Sequence, residues 1–148
     1  MIYRDVKLKN VLVSDCGNLM ITDFGLAKWL SRRQRTNTIC GTLAFMAPEV
    51  AQGLHYDHQV DLWSLGVLLY CLAFANYPFA RAESHQGMAE ILKDCANFEF
   101  TYESDEKVQI LLENLLKFNP QERIFKLDFQ SELALTFYES LRINGKVA

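Results

Sequence analysis

The chain has 148 residues, half of them hydrophobic and 22% charged, with a formal net charge of −3 and a pI near 5.6. That length suffices for one domain with a buried core, and the composition excludes an intrinsically disordered chain. The slight acidity argues against a nucleic-acid binder, which needs a cationic surplus to neutralise phosphates; the one basic cluster, SRRQR at 31–35, is short and local.

In chain order, the first expected element is a short hairpin. VLV at 11–13 and LMIT at 19–22 flank SDCGN, whose Asp, Gly and Asn are turn formers. Residues 23–49 mix polarities around Gly25, Gly41 and Pro48 and read as one long loop, ordered or switchable. Beyond Pro48 the pattern turns helical. Val60 to Phe74 is apolar nearly all round, which predicts a helix buried on every side at the centre of the domain. Its apolar run, Leu62 to Ala75, is interrupted by Ser64 and Gly66 and is too short to span a bilayer. Further helices are predicted over Ser84 to Cys95 and Asp105 to Phe118. The second has Val108, Leu111, Leu112, Leu115 and Leu116 on one face, Ser104 as N-cap, acids in its first turn and Asn119-Pro120 as its stop. A last helix is predicted from Leu127 to Leu141. No repeat or linker intervenes, so the chain reads as one mainly helical unit with a hairpin at its start.

Cys16, Cys40, Cys71 and Cys95 lie far apart without C-x-x-C spacing, and no signal segment precedes them. Free thiols in a reducing, intracellular compartment are expected, cytoplasmic or nuclear. His55, His58 and His85 form no ligand pattern with them, so no Cys/His metal site is expected.

The chemistry gathers in the first third. YRDVKLKN at 3–10 sets an Arg-Asp pair ahead of Asn10, a weak signal alone because turns use Asp and Asn freely. Asp23-Phe24-Gly25 then follows the hairpin, Ala47-Pro48-Glu49 closes the long loop, DLWSLG at 61–66 opens the central helix, and Arg123 stands just after a later one. In that order and spacing they resemble the C-terminal lobe of a eukaryotic protein kinase, over nearly the whole chain. Tyr3 in place of the usual His, with Thr38-Ile39-Cys40-Gly41-Thr42 ahead of Ala47-Pro48-Glu49, is similar to the AGC group of Ser/Thr kinases, which includes the ribosomal-protein kinases.

The resemblance implies a mainly α fold: a kinase-like C-lobe with a small β-hairpin and no N-lobe, a truncated α+β kinase fold. It implies ATP and Mg²⁺ as cofactors and protein substrates as partners, with an upstream activating kinase, no nucleic acid and no membrane span. Phosphoryl transfer has a loose transition state, so the protein chiefly positions groups and neutralises charge. In that scheme Asp5 accepts the proton of the attacking hydroxyl. Asn10 and Asp23 hold the metal, and Lys7 reaches the transferring phosphate. Thr38 is the activation-loop phosphorylation site, with Arg4 and Lys28 supplying its pocket. Thr42 shapes the substrate site beside Asp5. Glu49 and Arg123 form a structural buried ion pair, and Asp61 holds the catalytic loop's backbone. Lys9 and Cys71 stand where well-known AGC enzymes carry acids that read arginines upstream of the target hydroxyl. No preference for arginine-rich peptides is therefore expected.

No glycine-rich loop, nucleotide lysine, partner glutamate or hinge occurs in this sequence; its seven glycines are isolated. The helix that precedes the catalytic loop in the family is also missing, which predicts uncovered apolar surface on the Val60–Phe74 helix. Weak ATP binding and little catalysis are expected of the chain alone, with Met1 an internal start or the edge of an incomplete gene model. A non-catalytic binding module is the alternative, though such a module has no physical need for Asp5, Asn10 and Asp23 together.

Overall fold

The computed structural model describes residues 1–95 and 106–123. Strands β1 (Val11–Val13) and β2 (Leu19–Ile21) pair antiparallel, with Val11 opposite Ile21 and Val13 opposite Leu19. Gly17, at φ 80°, supplies the left-handed residue of the connecting turn. The Ser14 hydroxyl accepts the Asn18 N–H at 3.0 Å and pins that turn.

Four α-helices follow among the described residues. The short α1 (Pro48–Ala51) begins on a proline, whose missing N–H costs nothing in a first turn. Helix α2 (Gln59–Phe74) is the hub. It buries Val60, Trp63, Ser64, Gly66, Val67, Leu68 and Tyr70, and all its other residues are half-buried. It ends on Ala75 in the left-handed region, whose N–H bonds back to the Cys71 carbonyl. Helix α3 (His85–Asp94) is capped by Ser84, whose hydroxyl accepts the Gly87 N–H at 3.1 Å. Helix α4 (Glu106–Leu115) buries Val108, Leu111, Leu112 and Leu115 against the second half of α2. It stops short of the predicted Phe118, and Asn119-Pro120 opens a 3-10 turn with the Asn119 side chain accepting the Gln121 N–H. The Ser104 cap and the helix predicted from Leu127 to Leu141 lie outside the described residues.

Glycine explains how closely α4 approaches. A Cβ on Gly66 would lie 2.9 Å from both Leu115 Cβ and Leu116 Cδ2. Around the first half of α2, a second cluster gathers Ile2, Phe45, Met46, Val50, Tyr56 and Met88. Trp63 stacks on Phe79 at 5.4 Å between ring centroids.

Helix α2 is covered in part: Leu62, Leu65, Leu69, Leu72 and Phe74 are half-buried, and none of its residues is as open as the hairpin. Six of the exposed large hydrophobes stand on the hairpin and just beyond it, Leu12, Val13, Leu19, Met20, Ile21 and Phe24, and the most exposed of all is Trp29. No described helix is long and apolar enough to cross a membrane.

Candidate active site

The loop from Tyr3 to Asn10 takes a path that an ordinary L-residue resists. Arg4 sits at φ 69°, a left-handed conformation that costs about 1–3 kcal/mol unless the surroundings enforce it. Asp61, in the first turn of α2, supplies the enforcement. Its two carboxylate oxygens accept the Tyr3 and Arg4 N–H groups, each at 2.8 Å. Burial pushes the Asp61 carboxyl above its ordinary value, against the pull of those two N–H donors. From the other side Gly41 presses on the loop: a Cβ there would come within 2.6 Å of the Arg4 carbonyl oxygen.

Asp5 is thereby presented at the centre of a polar cluster. Lys7 Nζ donates to Asp5 Oδ2 at 2.6 Å and to Thr42 Oγ1 at 3.0 Å, and Thr42 Oγ1 donates to Asp5 Oδ1 at 2.8 Å. The Asn10 amide donates to Asp5 Oδ2 and to the Asp5 carbonyl, both at 3.0 Å. Burial raises the Asp5 carboxyl's pKa, but the hydrogen bonds from Lys7, Thr42 and Asn10, with the charge of Lys7, outweigh it and hold the value below the ordinary one. A carboxylate offers about four lone-pair sites. Two on Oδ2 and one on Oδ1 are taken, so Oδ1 keeps the capacity to accept one more hydrogen.

The hairpin brings the second carboxylate alongside. Thr22 donates its N–H to the Asn10 carbonyl at 2.9 Å, tying the residue before Asp23 to the end of the loop from Tyr3 to Asn10. Tyr3 adds a second tie: its hydroxyl donates to the Thr22 carbonyl and its ring meets Phe24 edge-on at 5.4 Å. Asp23 is exposed, left-handed at φ 60°, and accepts the Gly25 N–H through Oδ1. Because Asn10 spends its NH₂ on Asp5, its amide oxygen is left for a cation, and Asp23 Oδ2 carries no hydrogen bond in this network. A carboxylate and an amide oxygen are hard donors that suit Mg²⁺, which takes few protein ligands and completes its shell from phosphates and water. Among the described residues no His/Cys/Asp/Glu cluster offers a rival metal site.

The loop between Asp23 and Glu49 carries Lys28, Thr36 and Thr38. Lys28 Nζ donates to Thr36 Oγ1 at 3.0 Å, which lies 3.4 Å from the hydroxyl of exposed Thr38. Arg4 Nε donates to the Leu26 carbonyl at 2.6 Å, while its buried NH1 has no hydrogen-bond partner. Lys28 thus stands beside the segment that bears Thr38.

Glu49 and Arg123 pair in a fork: NH1 to Oε1 at 2.6 Å and NH2 to Oε2 at 2.8 Å. Arg123 spends its remaining donors on the Lys117, Gln59 and Phe118 carbonyls and lies over the Trp63 ring at 5.0 Å. All five guanidinium donors are satisfied, the condition under which a buried ion pair is tolerated.

Sequence reasoning passed over Tyr56 and Thr36. They lie outside every motif, and their antiparallel bridge joins residues far apart in the chain. The left-handed Arg4 and Asp23 were equally hidden, because neither is glycine.

A helical body around one hub helix, with a small hairpin bringing an amide and a carboxylate toward a clamped aspartate, is the architecture of the larger lobe of a kinase fold. The chain belongs to the protein kinase family: the family's Protein kinase domain matches residues 1–131. It is 40% identical over 124 residues to the ribosomal protein S6 kinase-related protein of Homo sapiens, covering 84% of this chain and 30% of that protein. To the putative serine/threonine-protein kinase F31E3.2 of Caenorhabditis elegans it is 52% identical over 84 residues, 57% of this chain and 19% of that one. To cGMP-dependent protein kinase 2 of Homo sapiens it is 37% identical over 127 residues, 86% and 17% respectively. These relatives support the AGC resemblance, and the chain spans less than a third of the length of each.

Proposed function

We propose that the protein carrying this chain is a Ser/Thr protein kinase, that residues 1–148 form part of its catalytic domain, and that Asp5 is its base. The observation that carries this reading is the Asp5 cluster, in which three donors hold the carboxylate ionised and one acceptor site on Oδ1 stays open. In the reaction, the oxygen of a substrate serine or threonine attacks the γ-phosphorus of ATP. The bond from that phosphorus to the bridging oxygen breaks and ADP leaves, while the hydroxyl proton passes to Asp5. Lys7 sits 2.6 Å from Asp5 and neutralises charge on the transferring group. Thr42 orients Asp5, and its placement fits a serine or threonine acceptor reaching the same oxygen. Asn10 and Asp23 would hold Mg²⁺, which when bound offsets the phosphate charge.

Thr38 is the proposed activating phosphosite, filled by an upstream kinase. Its phosphate would carry nearly two charges and draw on Lys28 and Arg4. Exposed Lys9 and half-buried Cys71 support substrates without upstream arginines. The resident compartment is proposed as cytoplasm or nucleus.

The test is transfer of the labelled γ-phosphate of ATP to a peptide set that varies the acceptor and its upstream residues. Label on serine or threonine, dependent on Mg²⁺ and no greater for arginine-rich peptides, is the expected result. A large gain from upstream arginine contradicts the substrate reading. Binding of protein partners with no transfer in any condition favours the non-catalytic module.

A further inference from the structure

Tyr56 belongs to none of the motifs above, yet it makes three hydrogen bonds to the segment that carries Thr38. Its N–H donates to the Thr36 carbonyl at 2.8 Å, its carbonyl accepts the Thr36 N–H at 3.0 Å, and its hydroxyl donates to the Thr38 carbonyl. The ring is 3% exposed, so a phenylalanine would fill the same space. The hydroxyl is what differs, and a buried phenol needs a partner. Here that partner is the backbone of the proposed phosphosite itself.

The same hydroxyl lies 3.9 Å from Cys40 Sγ and faces the Arg4 guanidinium. Between Thr36 and Thr42 the chain is in neither helix nor strand, so contacts of this kind set its path. Gly41 then packs on the Arg4 carbonyl, and the next residue is Thr42, bonded to Asp5 and Lys7.

We infer that Tyr56 is a positioning residue: its hydroxyl fixes the strap from Thr38 to Thr42, so that the Thr42 hydroxyl meets Asp5. The consequence for turnover rests on the kinase reading above; the strap contact does not. In Tyr56→Phe the Thr38 carbonyl loses its donor and the strap loosens while the ring still fills the core.

The experiment measures amide hydrogen exchange and kinetics on the protein carrying this chain, comparing wild type, Tyr56→Phe, Thr42→Val and the double variant. Loss of one neutral hydrogen bond predicts exchange at residues 39–42 faster by about tenfold in Tyr56→Phe, with α2 as protected as in wild type. The kcat should fall by about as much with the KM for ATP unchanged. In the Thr42→Val background Tyr56→Phe should lower kcat no further, because both act through one contact. Additive losses, or faster exchange throughout α2, reduce Tyr56 to a packing residue and overturn the inference. So does unchanged exchange at 39–42. A wild type that transfers no phosphate while Tyr56→Phe still speeds exchange at 39–42 removes the kinase reading and leaves the strap contact standing.

Discussion

Asp5 gathers three donors from residues that lie on two separate segments, Lys7 and Asn10 within its own loop and Thr42 from the far end of the long loop. That arrangement favours the charged form, and the direction of its effect on stability follows. A carboxyl with a depressed folded-state pKa stabilises the fold above its unfolded value, and that contribution is lost as pH falls through the lowered folded value. Carbon NMR of the Asp5 carboxyl should therefore show a midpoint below about 3.9, the ordinary value for aspartate. Thr42→Val should move it upward by removing one donor. A midpoint at or above the ordinary value contradicts the cluster. At this scale the sequence named the actors, since Asp5, Lys7, Asn10 and Thr42 stand in recognisable motifs. It did not disclose the left-handed Arg4, because backbone conformation at a non-glycine residue is decided by distant partners such as Asp61 and Gly41.

At the scale of elements, two joints hold the helices together. The Glu49–Arg123 fork ties α1 to the turn after α4, and both side chains are almost wholly buried. Removing one partner strands the other charge, so Arg123→Ala should lower the unfolding free energy by about 3–5 kcal/mol. Urea denaturation of Glu49→Gln, Arg123→Ala and the double variant reads this directly. A loss under about 1 kcal/mol for Arg123→Ala, as at an exposed pair, contradicts the buried fork. The second joint is Gly66, where the added methyl of Gly66→Ala would meet Leu115 and Leu116 at 2.9 Å. Forcing α4 away should cost about 1–3 kcal/mol, more than the helix propensity gained from alanine returns. An unchanged denaturation midpoint would show that α4 packs elsewhere. The helices themselves were legible from periodicity: α3 and α4 fall within the stretches read from the sequence, and α2 begins one residue before its own, at Gln59. The ends were less so. Leu116 and Phe118 continue the apolar pattern of α4 although its helix has already ended, because burial and helical geometry are separate demands.

Across the whole molecule, apolar surface is distributed unevenly. The apolar side chains of α2 are buried or half-buried, whereas both strands of the hairpin expose large hydrophobes, Leu19 at 71% and Val13 at 64%. The hairpin also joins Asn10 to Thr22, the neighbour of Asp23, so the exposed strands lie between the two proposed metal ligands in the chain. The sequence reading expected uncovered surface on α2 and did not locate the larger exposure on the hairpin. Periodicity reports which side chains are apolar and is silent on which neighbours arrive to cover them.

Asp5 is proposed as the base for phosphoryl transfer. The most direct measurement of that role is the turnover of the protein carrying this chain, wild type against Asp5→Asn, with labelled ATP, Mg²⁺ and a serine peptide. Loss of a positioned base predicts a fall in kcat of about 10²–10⁴-fold with the fold intact. Full activity in Asp5→Asn would contradict the account.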